Sequence, residues 1–448
     1  MTIQTIVAAV VVLGALIFFH ELGHFLVAKR AKVGVLKFSL GFGPKIVGVK
    51  RGETEYLLSA LPLGGYVKMI GEDPGDESPE AIDPARSFSK KSVGTRSLII
   101  LAGPMANFIL PVLIFWGIFM FVGQSYLLPV AGSPEKDSPA AKAGLTVADR
   151  VQAIGGQPIG RWDELETALR TSSGRALTLT ILRDGRSTDV QLEPRVQKAR
   201  DLFGQDVEVW DLGLRPLVST RIGQVLPNQP AQQAGIRGGD RVLAVNGNAV
   251  GEWDQLAKII HGSPGTPLTL TLEREGQRQE VQVTPRSTKQ QGPAGEEEIG
   301  LIGIGPAPET QLRRLNPFSA AWAGVTKTVD LSVLVVTGFV KLFQGKIPAN
   351  TIGGPLLIGQ MAGEVAQRGM IELLSFTALL SINLAILNLL PIPILDGGHL
   401  LFSLIEWLRG KPVSLKKREM AQQVGMVLLI GLMVFAFYND IFRWLGQP

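Results

Sequence analysis

The sequence predicts a multi-pass α-helical membrane protein with four spans and two inserted α+β domains. Three observations carry this prediction: long apolar segments, an internal repeat, and a charged fraction of 19%, which is low against about 25% in soluble domains. The chain of 448 residues is long enough for several domains. It contains no cysteine, which excludes disulfides, thiolate metal sites and a cysteine nucleophile.

The four spans are defined by apolar segments that reach the length of about 20 residues needed to cross a bilayer. We place them in residues 1–30, 98–123, 372–408 and 421–445. Twelve Lys or Arg residues lie between Lys29 and Arg96, and a second basic loop joins the last two spans. Because Lys and Arg concentrate on the cytoplasmic side, both loops are predicted to be cytoplasmic and both termini to lie on the outer side.

A further apolar stretch, residues 316–346, contains Lys327, Asp330 and Lys341 near one helical face. We interpret it as an amphipathic helix that lies on the outer membrane surface. The alternative is a fifth span, which would reverse the orientation of the C-terminal half and break the charge pattern. Residues 72–87 are acidic and contain prolines, and they predict a flexible linker.

The inserted domains, residues 126–217 and 218–307, are tandem copies related by a gapless repeat with a period of 91 residues. Each copy predicts a short helix, a strand, a second helix and a hairpin strand, which in the first copy are Pro139–Gly144, Asp149–Ile154, Trp162–Leu169 and Leu177–Leu182. This pattern resembles PDZ domains in their circularly permuted bacterial form, which bind an extended peptide at a sheet edge.

The PDZ resemblance implies two carboxylate-binding loops, at Leu212, Gly213 and Leu214 and at Ile302, Gly303 and Ile304. These loops would form the ends of peptide grooves. Because a fold does not fix a ligand, the domains either bind peptides there or serve as spacers.

The first span contains His20, Glu21 and His24 in the pattern H-E-x-x-H. On a helix, residues i and i+4 share one face, so both imidazoles can reach one metal ion. The intervening glutamate can act as a general base on water. Ionisable side chains inside a span are costly and normally functional, which favours a metal site over a buried polar network that only braces the helices.

A catalytic zinc site takes three protein ligands and leaves one position open. The candidates for the third ligand are Asp396 and His399, since His261 lies in the second repeat. Pro391 and Pro393 prevent a regular helix before them, and irregular backbone at membrane depth is tolerated where it is buried or lines a cavity. The topology deduced from charge places both motifs in the same half of the bilayer, as a shared metal requires.

These motifs together resemble the site-2 protease family of intramembrane zinc metalloproteases, in its bacterial branch with tandem PDZ domains. They comprise H-E-x-x-H in the first span, Gly103–Asn107 in the second, the duplicated PDZ pattern, and N-x-x-P-x-P-x-L-D-G in the third. The resemblance implies that His20, His24 and Asp396 bind Zn²⁺ and that Glu21 is the catalytic base.

The same resemblance implies residues that handle the substrate. Asn388, with Pro391 and Pro393, would unwind and position the substrate helix, and Asn383 is a further candidate for this role. His399 does not match a ligand of the family, so we expect it to contact the ligand side chains without binding the metal, or to have a structural role.

The cytoplasmic loop, residues 31–97, also carries the pattern of a membrane-associated β-hairpin. Its strands are Lys45–Val49 and Glu55–Ser59, and Gly64, Gly65 and Tyr66 follow them. By resemblance to the family, such strands dip to the active site and offer an edge to an extended substrate. The alternative is an ordinary cytoplasmic loop.

The resemblance implies cleavage of the transmembrane segments of single-pass proteins after their ectodomains have been trimmed, with the PDZ domains excluding untrimmed substrates. Anti-sigma factors and leftover signal peptides are the implied substrates, in envelope stress signalling. The expected location is the lipid bilayer of a bacterial inner membrane, with both termini and the PDZ domains periplasmic and the active site near the cytoplasmic face. We expect a monomer.

Two rival functions differ in class from a protease. A membrane-tethered PDZ scaffold with an inactive metal site would keep the fold without the chemistry. A transporter is disfavoured because the repeat lies in the soluble domains and not in the spans. The net charge of +5, without an arginine-rich stretch, excludes nucleic acid as a partner.

Overall fold

The computed structural model describes residues 3–72, 83–201, 203–292, 295–307 and 310–445. The chain divides into two compact units, which we call the membrane unit (residues 1–123 and 314–448) and the PDZ unit (residues 124–313). Most of the predicted linker, residues 73–82, lies outside the described residues.

The two units are built from α-helices and β-strands, numbered in chain order. The α-helices are α1 (Ile3–Arg30), α2 (Val93–Gly117), α3 (Pro139–Lys142), α4 (Trp162–Ser172), α5 (Pro230–Gln233), α6 (Trp253–His261), α7 (Pro317–Phe343), α8 (Pro355–Arg368), α9 (Met370–Leu389), α10 (Asp396–Arg409) and α11 (Leu415–Leu445). The strands are β1 (Val35–Arg51), β2 (Thr54–Met69), β3 (Gln124–Leu127), β4 (Arg150–Ile154), β5 (Gln157–Pro158), β6 (Leu177–Arg183), β7 (Arg186–Leu192), β8 (Arg195–Arg200), β9 (Asp206–Asp211), β10 (Ile222–Val225), β11 (Arg241–Val245), β12 (Asn248–Ala249), β13 (Leu268–Arg274), β14 (Gln277–Val283), β15 (Arg286–Gly292), β16 (Gly295–Leu301), β17 (Ile304–Pro306) and β18 (Thr310–Arg313).

Helices α1 and α2 approach each other through small residues. A Cβ atom added to Gly23 of α1 would lie only 2.2 Å from the carbonyl oxygen of Ala102 in α2. Small residues let membrane helices pack with their backbones close together. The contact brings Gly103 and Asn107, which are both buried, toward the histidines of α1.

The third predicted span is broken between α9 and α10, at residues 390–395. Pro391 and Pro393 lie in this break, as the sequence predicts, because proline lacks the N–H that a continuous helix uses. Gly397 and Gly398 let the first turn of α10 pack against the backbone of the break. A Cβ atom on Gly397 would lie 2.3 Å from the Leu389 carbonyl oxygen, and one on Gly398 would lie 2.2 Å from the Ile392 carbonyl oxygen. The break places Asp396 in the first turn of α10.

Polar residues near the end of α11 interrupt its apolar sequence. They form hydrogen bonds with the backbone at the start of α8 and just before it. The Asp440 carboxylate accepts the N–H groups of Gly354 and Leu357 at 2.9 and 3.1 Å. Asn439 donates to the carbonyl oxygen of Ile352 at 3.2 Å, and Arg443 donates to the same oxygen at 3.3 Å. These bonds satisfy backbone groups that helix ends leave unpaired.

Five described helices are long and apolar enough to cross a membrane: α1, α2 with its extension to Val122, α7, α9 and α11. The sequence assigned α7 to the membrane surface. In the structure, α7 buries Ala320, Gly324 and Thr328, and a Cβ atom on Gly324 would lie 3.0 Å from the Val112 carbonyl oxygen of α2. Length and composition do not distinguish a surface helix from a span, so the surface assignment stays a prediction.

The PDZ unit contains two copies of one architecture. Their four-stranded sheets have the orders β5-β4-β6-β7 and β12-β11-β13-β14, and each copy has its own buried apolar core. The helices and strands that the repeat predicts are present in both copies. The structure therefore confirms the two inserted α+β domains.

Both copies also contain the same ion pair between a buried aspartate and an arginine that reaches solvent. The Asp149 carboxylate accepts hydrogen bonds from Nε and Nη2 of Arg183 at 2.7 and 2.6 Å. The Asp240 carboxylate accepts hydrogen bonds from Nε and Nη2 of Arg274, both at 2.7 Å. Burial would raise the pKa of each carboxyl. The two-point hydrogen bond from arginine, together with a backbone amide, outweighs burial and holds both pKa values below the ordinary value.

Candidate metal centre

Three ligand-type side chains from the two predicted motifs meet in the membrane unit. His20 and His24 lie one turn apart on α1, and Asp396 comes from the start of α10. The two Nε2 atoms are 3.3 Å apart. The Asp396 carboxylate oxygens lie 3.1 Å from His20 Nε2 and 3.6 Å from His24 Nε2. The predicted ligand set therefore converges on one point.

This triangle has the dimensions of a zinc site. A tetrahedral centre with bonds of about 2.0–2.1 Å has ligand-to-ligand edges of about 3.3 Å. The two imidazole nitrogens are 3.3 Å apart, and they lie 3.1 and 3.6 Å from different oxygens of the one carboxylate. Two imidazoles with one carboxylate are a donor set that zinc accepts. The residues present thus fit a zinc ion with a fourth position open.

Backbone groups of α2 fix the orientation of His24. Its Nδ1 donates to the carbonyl oxygen of Ile99 at 2.8 Å, which leaves the lone pair of Nε2 directed at the ligand triangle. Gly103 provides the space for the ring, because a Cβ atom there would lie 2.2 Å from His24 Nε2. The family resemblance includes Gly103 in a motif of the second span but assigns it no role, and the apolar pattern of the span does not connect it with a metal ligand.

The His20 ring faces two amides. The Nδ2 atoms of Asn107 and Asn388 lie 3.3 and 3.4 Å from His20 Nδ1. The structure therefore brings the predicted residue Asn388 to the site. Asn383 instead donates to the carbonyl oxygen of Leu379 in its own helix at 3.2 Å.

A cavity of about 310 Å³ contains the candidate base and the ligands. Glu21, His20, His24 and Asp396 all line it. His399 lines it too, and its Nδ1 lies 3.2 Å from the Arg418 guanidinium, which agrees with a supporting or structural role.

The cavity also contains charged residues that the sequence reasoning missed. Arg96 of α2 donates to Glu406 of α10 at 2.7 Å, and both line the cavity with Arg418. The two arginines were counted only as signals of topology, because basic residues at helix ends are common there. The cavity wall therefore contains an ion pair and a further arginine in addition to the ligands and Glu21.

The predicted hairpin is present and is part of a larger sheet formed by β1 and β2. Residues 35–40 pair with residues 65–69 on one side and with residues 54–58 on the other. Residues 45–51 pair with the other side of residues 54–59. We call residues 65–69 the edge segment, because no other described strand pairs with its outer side.

The edge segment runs along the candidate metal cavity. Gly65, Tyr66, Val67 and Met69 line the cavity. A Cβ atom on Gly65 would lie 2.9 Å from Cγ of Glu21, so the backbone passes directly beside the candidate base. Gly64 precedes the segment with a φ of +111°, a backbone conformation that favours glycine. The predicted residues Gly64, Gly65 and Tyr66 are thus near the site.

In the first PDZ domain, the predicted loop borders a cavity of about 500 Å³. Leu212 and Leu214 line this cavity together with Trp162 and Leu165 of α4. The N–H of Gly213 donates to the Asp211 carboxylate at 2.9 Å, so this N–H is already hydrogen-bonded to a carboxylate of the same domain.

The loop of the second PDZ domain has the same backbone form. Gly303 has a φ of +79°, and Gly213 has a φ of +71°. Ile302 is buried in the core, and Ile304 begins strand β17, which pairs with β10. The position before the loop is Leu301, where the first domain has Asp211. The two copies therefore differ in charge at equivalent positions.

Two imidazoles and a carboxylate around an open position, with a glutamate in the same cavity of a membrane-helix bundle, are the groups of a metallopeptidase within a membrane. The model of peptidase family M50 matches residues 8–432, and the chain belongs to this family.

Relatives match almost the whole chain. The regulator of sigma-E protease RseP of Salmonella typhimurium is 37% identical over 446 residues, covering 97% of this chain and 98% of the relative. RseP of Escherichia coli K12 is 36% identical over 450 residues, covering 97% of each. A candidate zinc metalloprotease of Neisseria meningitidis is 36% identical over 460 residues, covering 99% of this chain and 100% of the relative. The protein is therefore a metalloprotease similar to these regulators.

Among solved structures, the PDZ domain of an SdrC-like protein from Listeria monocytogenes matches 21% of this chain and 92% of its own length. The identity is 17% and the TM-score is 0.17.

Proposed function

We propose that the protein cleaves peptide bonds within the transmembrane segments of single-pass membrane proteins, using a zinc ion held by His20, His24 and Asp396. The observation that carries the proposal is one cavity that contains the ligand triangle, Glu21 and the edge segment. A scaffold with an inactive site would have no need for a glutamate beside an intact ligand set. Bound zinc would polarise the scissile carbonyl and acidify water in the open position.

The residues of this chain then handle the proton and the substrate. Glu21 takes the proton of the attacking water and delivers it to the nitrogen of the leaving amine. Water attacks directly, so no acyl-enzyme forms and inhibitors that trap serine or cysteine nucleophiles have no target. The amide of Asn388, together with the break that Pro391 and Pro393 make in the helix, is proposed to hold the unwound substrate.

A transmembrane helix must be opened before hydrolysis, because its own hydrogen bonds shield its peptide groups. We propose that the substrate adds as a strand to the outer side of the edge segment. The position of Gly65 beside Glu21 supports this role, since a substrate strand there would pass the base.

The proposed orientation places the catalytic cavity near the cytoplasmic face of a bacterial inner membrane, with both termini and the PDZ unit in the periplasm. Basic residues at this end of the membrane unit support it. Lys29, at the end of α1, and Arg86 both pair with Glu53 at the turn of the hairpin. The hydrogen bond from Lys29, joined by Arg86, holds the pKa of Glu53 below its ordinary value.

The proposed substrates are anti-sigma factors and signal-peptide remnants that have lost their ectodomains, in envelope stress signalling. The similarity to RseP proteins, which are named as regulators of sigma E, supports this substrate class. The two PDZ domains are proposed to exclude untrimmed ectodomains by size. Peptide capture in the grooves at Leu212, Gly213 and Leu214 and at Ile302, Gly303 and Ile304 is the other role that their fold permits.

Removal of zinc tests the proposed reaction. We expect about one zinc ion per chain in detergent-solubilised protein. A chelator should abolish cleavage of a single-pass substrate with a short ectodomain, and added Zn²⁺ should restore it. The measurement is elemental analysis paired with gel detection of the products. The same substrate with a folded ectodomain is the matched control and should stay intact.

Cleavage that persists in metal-free protein would contradict the zinc mechanism. Equal cleavage of the short and folded forms would contradict the size filter while leaving the protease intact. A protein that contains no zinc and cuts neither substrate would instead support the scaffold.

Strand addition at the edge segment can be tested by crosslinking, because the chain has no native cysteine. In a Glu21→Gln background, Tyr66→Cys is expected to form disulfides with single cysteines placed along the span of a bound substrate. The matched control is Val49→Cys, on the opposite edge of the same sheet and 64% exposed. Equal crosslinking at both positions, or none at Tyr66→Cys, would show that the substrate does not pair with the edge segment.

A further inference from the structure

A metal-binding histidine uses one ring nitrogen for the metal and donates the N–H of the other to an acceptor, which fixes the ring. For His24 that acceptor is the Ile99 carbonyl oxygen at 2.8 Å. His20 offers Nε2 to the ligand triangle, so its Nδ1 carries the proton and needs an acceptor of its own. Among the described residues, the groups recorded within hydrogen-bonding distance of His20 Nδ1 are the amides of Asn107 and Asn388.

Asn107 has the properties of the missing acceptor. It is 0% exposed, and its Oδ1 atom has no hydrogen-bond partner among the described residues. Its Nδ2 atom lies 3.3 Å from His20 Nδ1. The two ends of an amide have nearly the same shape, and their assignment follows from the hydrogen bonds they make. A protonated Nδ1 requires that the oxygen of the amide face the ring.

We infer that Asn107 is a positioning residue for the metal centre, whose Oδ1 accepts the N–H of His20 Nδ1 and holds the ring with Nε2 toward zinc. This inference rests on the proposed function, since it assumes that His20 is a zinc ligand. It assigns a role to the second membrane helix, which contributes no ligand of its own.

The surroundings of Asn107 suit a fixed acceptor better than those of Asn388. Asn107 lies in the middle of α2, and the Ser381 hydroxyl of α9 donates to its backbone carbonyl oxygen at 2.8 Å. Asn388 lies at the last turn of α9, next to the break in the helix, and is only partly buried. The two amides therefore divide the work: Asn107 holds the ligand, and Asn388 stays available to the substrate.

The test is the zinc dissociation constant of the whole protein in detergent, measured by competition with a chromophoric chelator. Asn107→Leu keeps the size of the side chain and removes the acceptor. We expect zinc binding to weaken about 10- to 100-fold, the usual effect of losing such a hydrogen bond. Asn107→Asp restores an acceptor of the same shape and should bind zinc at least as tightly as the wild type. Gln360→Leu is the control for the change from amide to leucine, because this exposed amide donates to Glu364 of its own helix, and its zinc affinity should not change.

The outcomes separate the positioning role from the proposed function. Wild-type protein that binds no zinc would overturn the metal site itself. Wild-type affinity in Asn107→Leu would overturn the positioning role alone. If Asn107→Leu does not fold, Asn107→Asp decides, because zinc binding clearly weaker than in the wild type would show that the amide nitrogen is what matters and the acceptor role is wrong.

Discussion

Glu21→Gln is expected to lower the rate of substrate cleavage about 100- to 10,000-fold, the range that general acid–base catalysis contributes. Glutamine has the shape of glutamate and cannot take a proton from water. Because the three ligand side chains are unchanged, the variant should keep its zinc. The measurements are the cleavage rate of a trimmed single-pass substrate and the zinc content of the same preparation. A large loss of rate at constant zinc content identifies a base and not a structural residue.

Glu419→Gln provides the matched control. Glu419 is an exposed carboxyl on α11 of the same unit, so its replacement should change the rate less than about twofold. A Glu21→Gln variant that cuts at the wild-type rate would show that another group is the base. Loss of zinc together with activity would place Glu21 in the architecture of the site and not in proton transfer.

Gly103→Ala is expected to disable the metal site through a single methyl group. The new Cβ atom would lie 2.2 Å from Nε2 and 2.5 Å from Cε1 of His24, well inside van der Waals contact. The imidazole must leave its position and lose its bond to the Ile99 carbonyl oxygen. We expect zinc affinity to fall about 10- to 100-fold, with cleavage falling in parallel. Both are measured on the purified variant, together with its unfolding temperature.

The unfolding temperature distinguishes this local effect from a general loss of structure. Alanine favours a helix over glycine by about 1 kcal/mol, so the helix itself gains from the replacement. Gly117→Ala, at the end of the same helix, is the control, since its Cβ atom would have no neighbour within 4 Å. If Gly103→Ala bound zinc as tightly as Gly117→Ala, this result would contradict the close contact between Gly103 of α2 and the His24 ring.

The ligand set could be predicted from sequence because each part leaves a local signature. His20 and His24 show helical spacing, and the prolines before Asp396 indicate the end of a regular helix. The basic loops then place the two motifs in one half of the bilayer. These signals leave Asp396 and His399 as candidates for the third ligand. The resemblance to the site-2 protease family implies Asp396, and the structure brings this residue to the histidines.

The support of the ligands could not be predicted in the same way. The contacts of Gly103 with His24 and of Asn107 with His20 depend on how α1 and α2 pack, and helical periodicity does not fix the rotation of one span against another. The order of the segments in the β1–β2 sheet depends on long-range register. The polar end of α11 gives no sign in the sequence of its role, which is to cap a helix 83 to 86 residues away in the chain.

A strand edge that no other strand covers is a hazard for a soluble protein, because any extended chain can add to it and start aggregation. In this protein, residues of the edge segment line the candidate metal cavity of the membrane unit. Pairing through the backbone is indifferent to most side chains. Under the proposed strand addition, discrimination between substrates would therefore depend on which chains reach this edge, and the sequence around the cut bond would be free to vary.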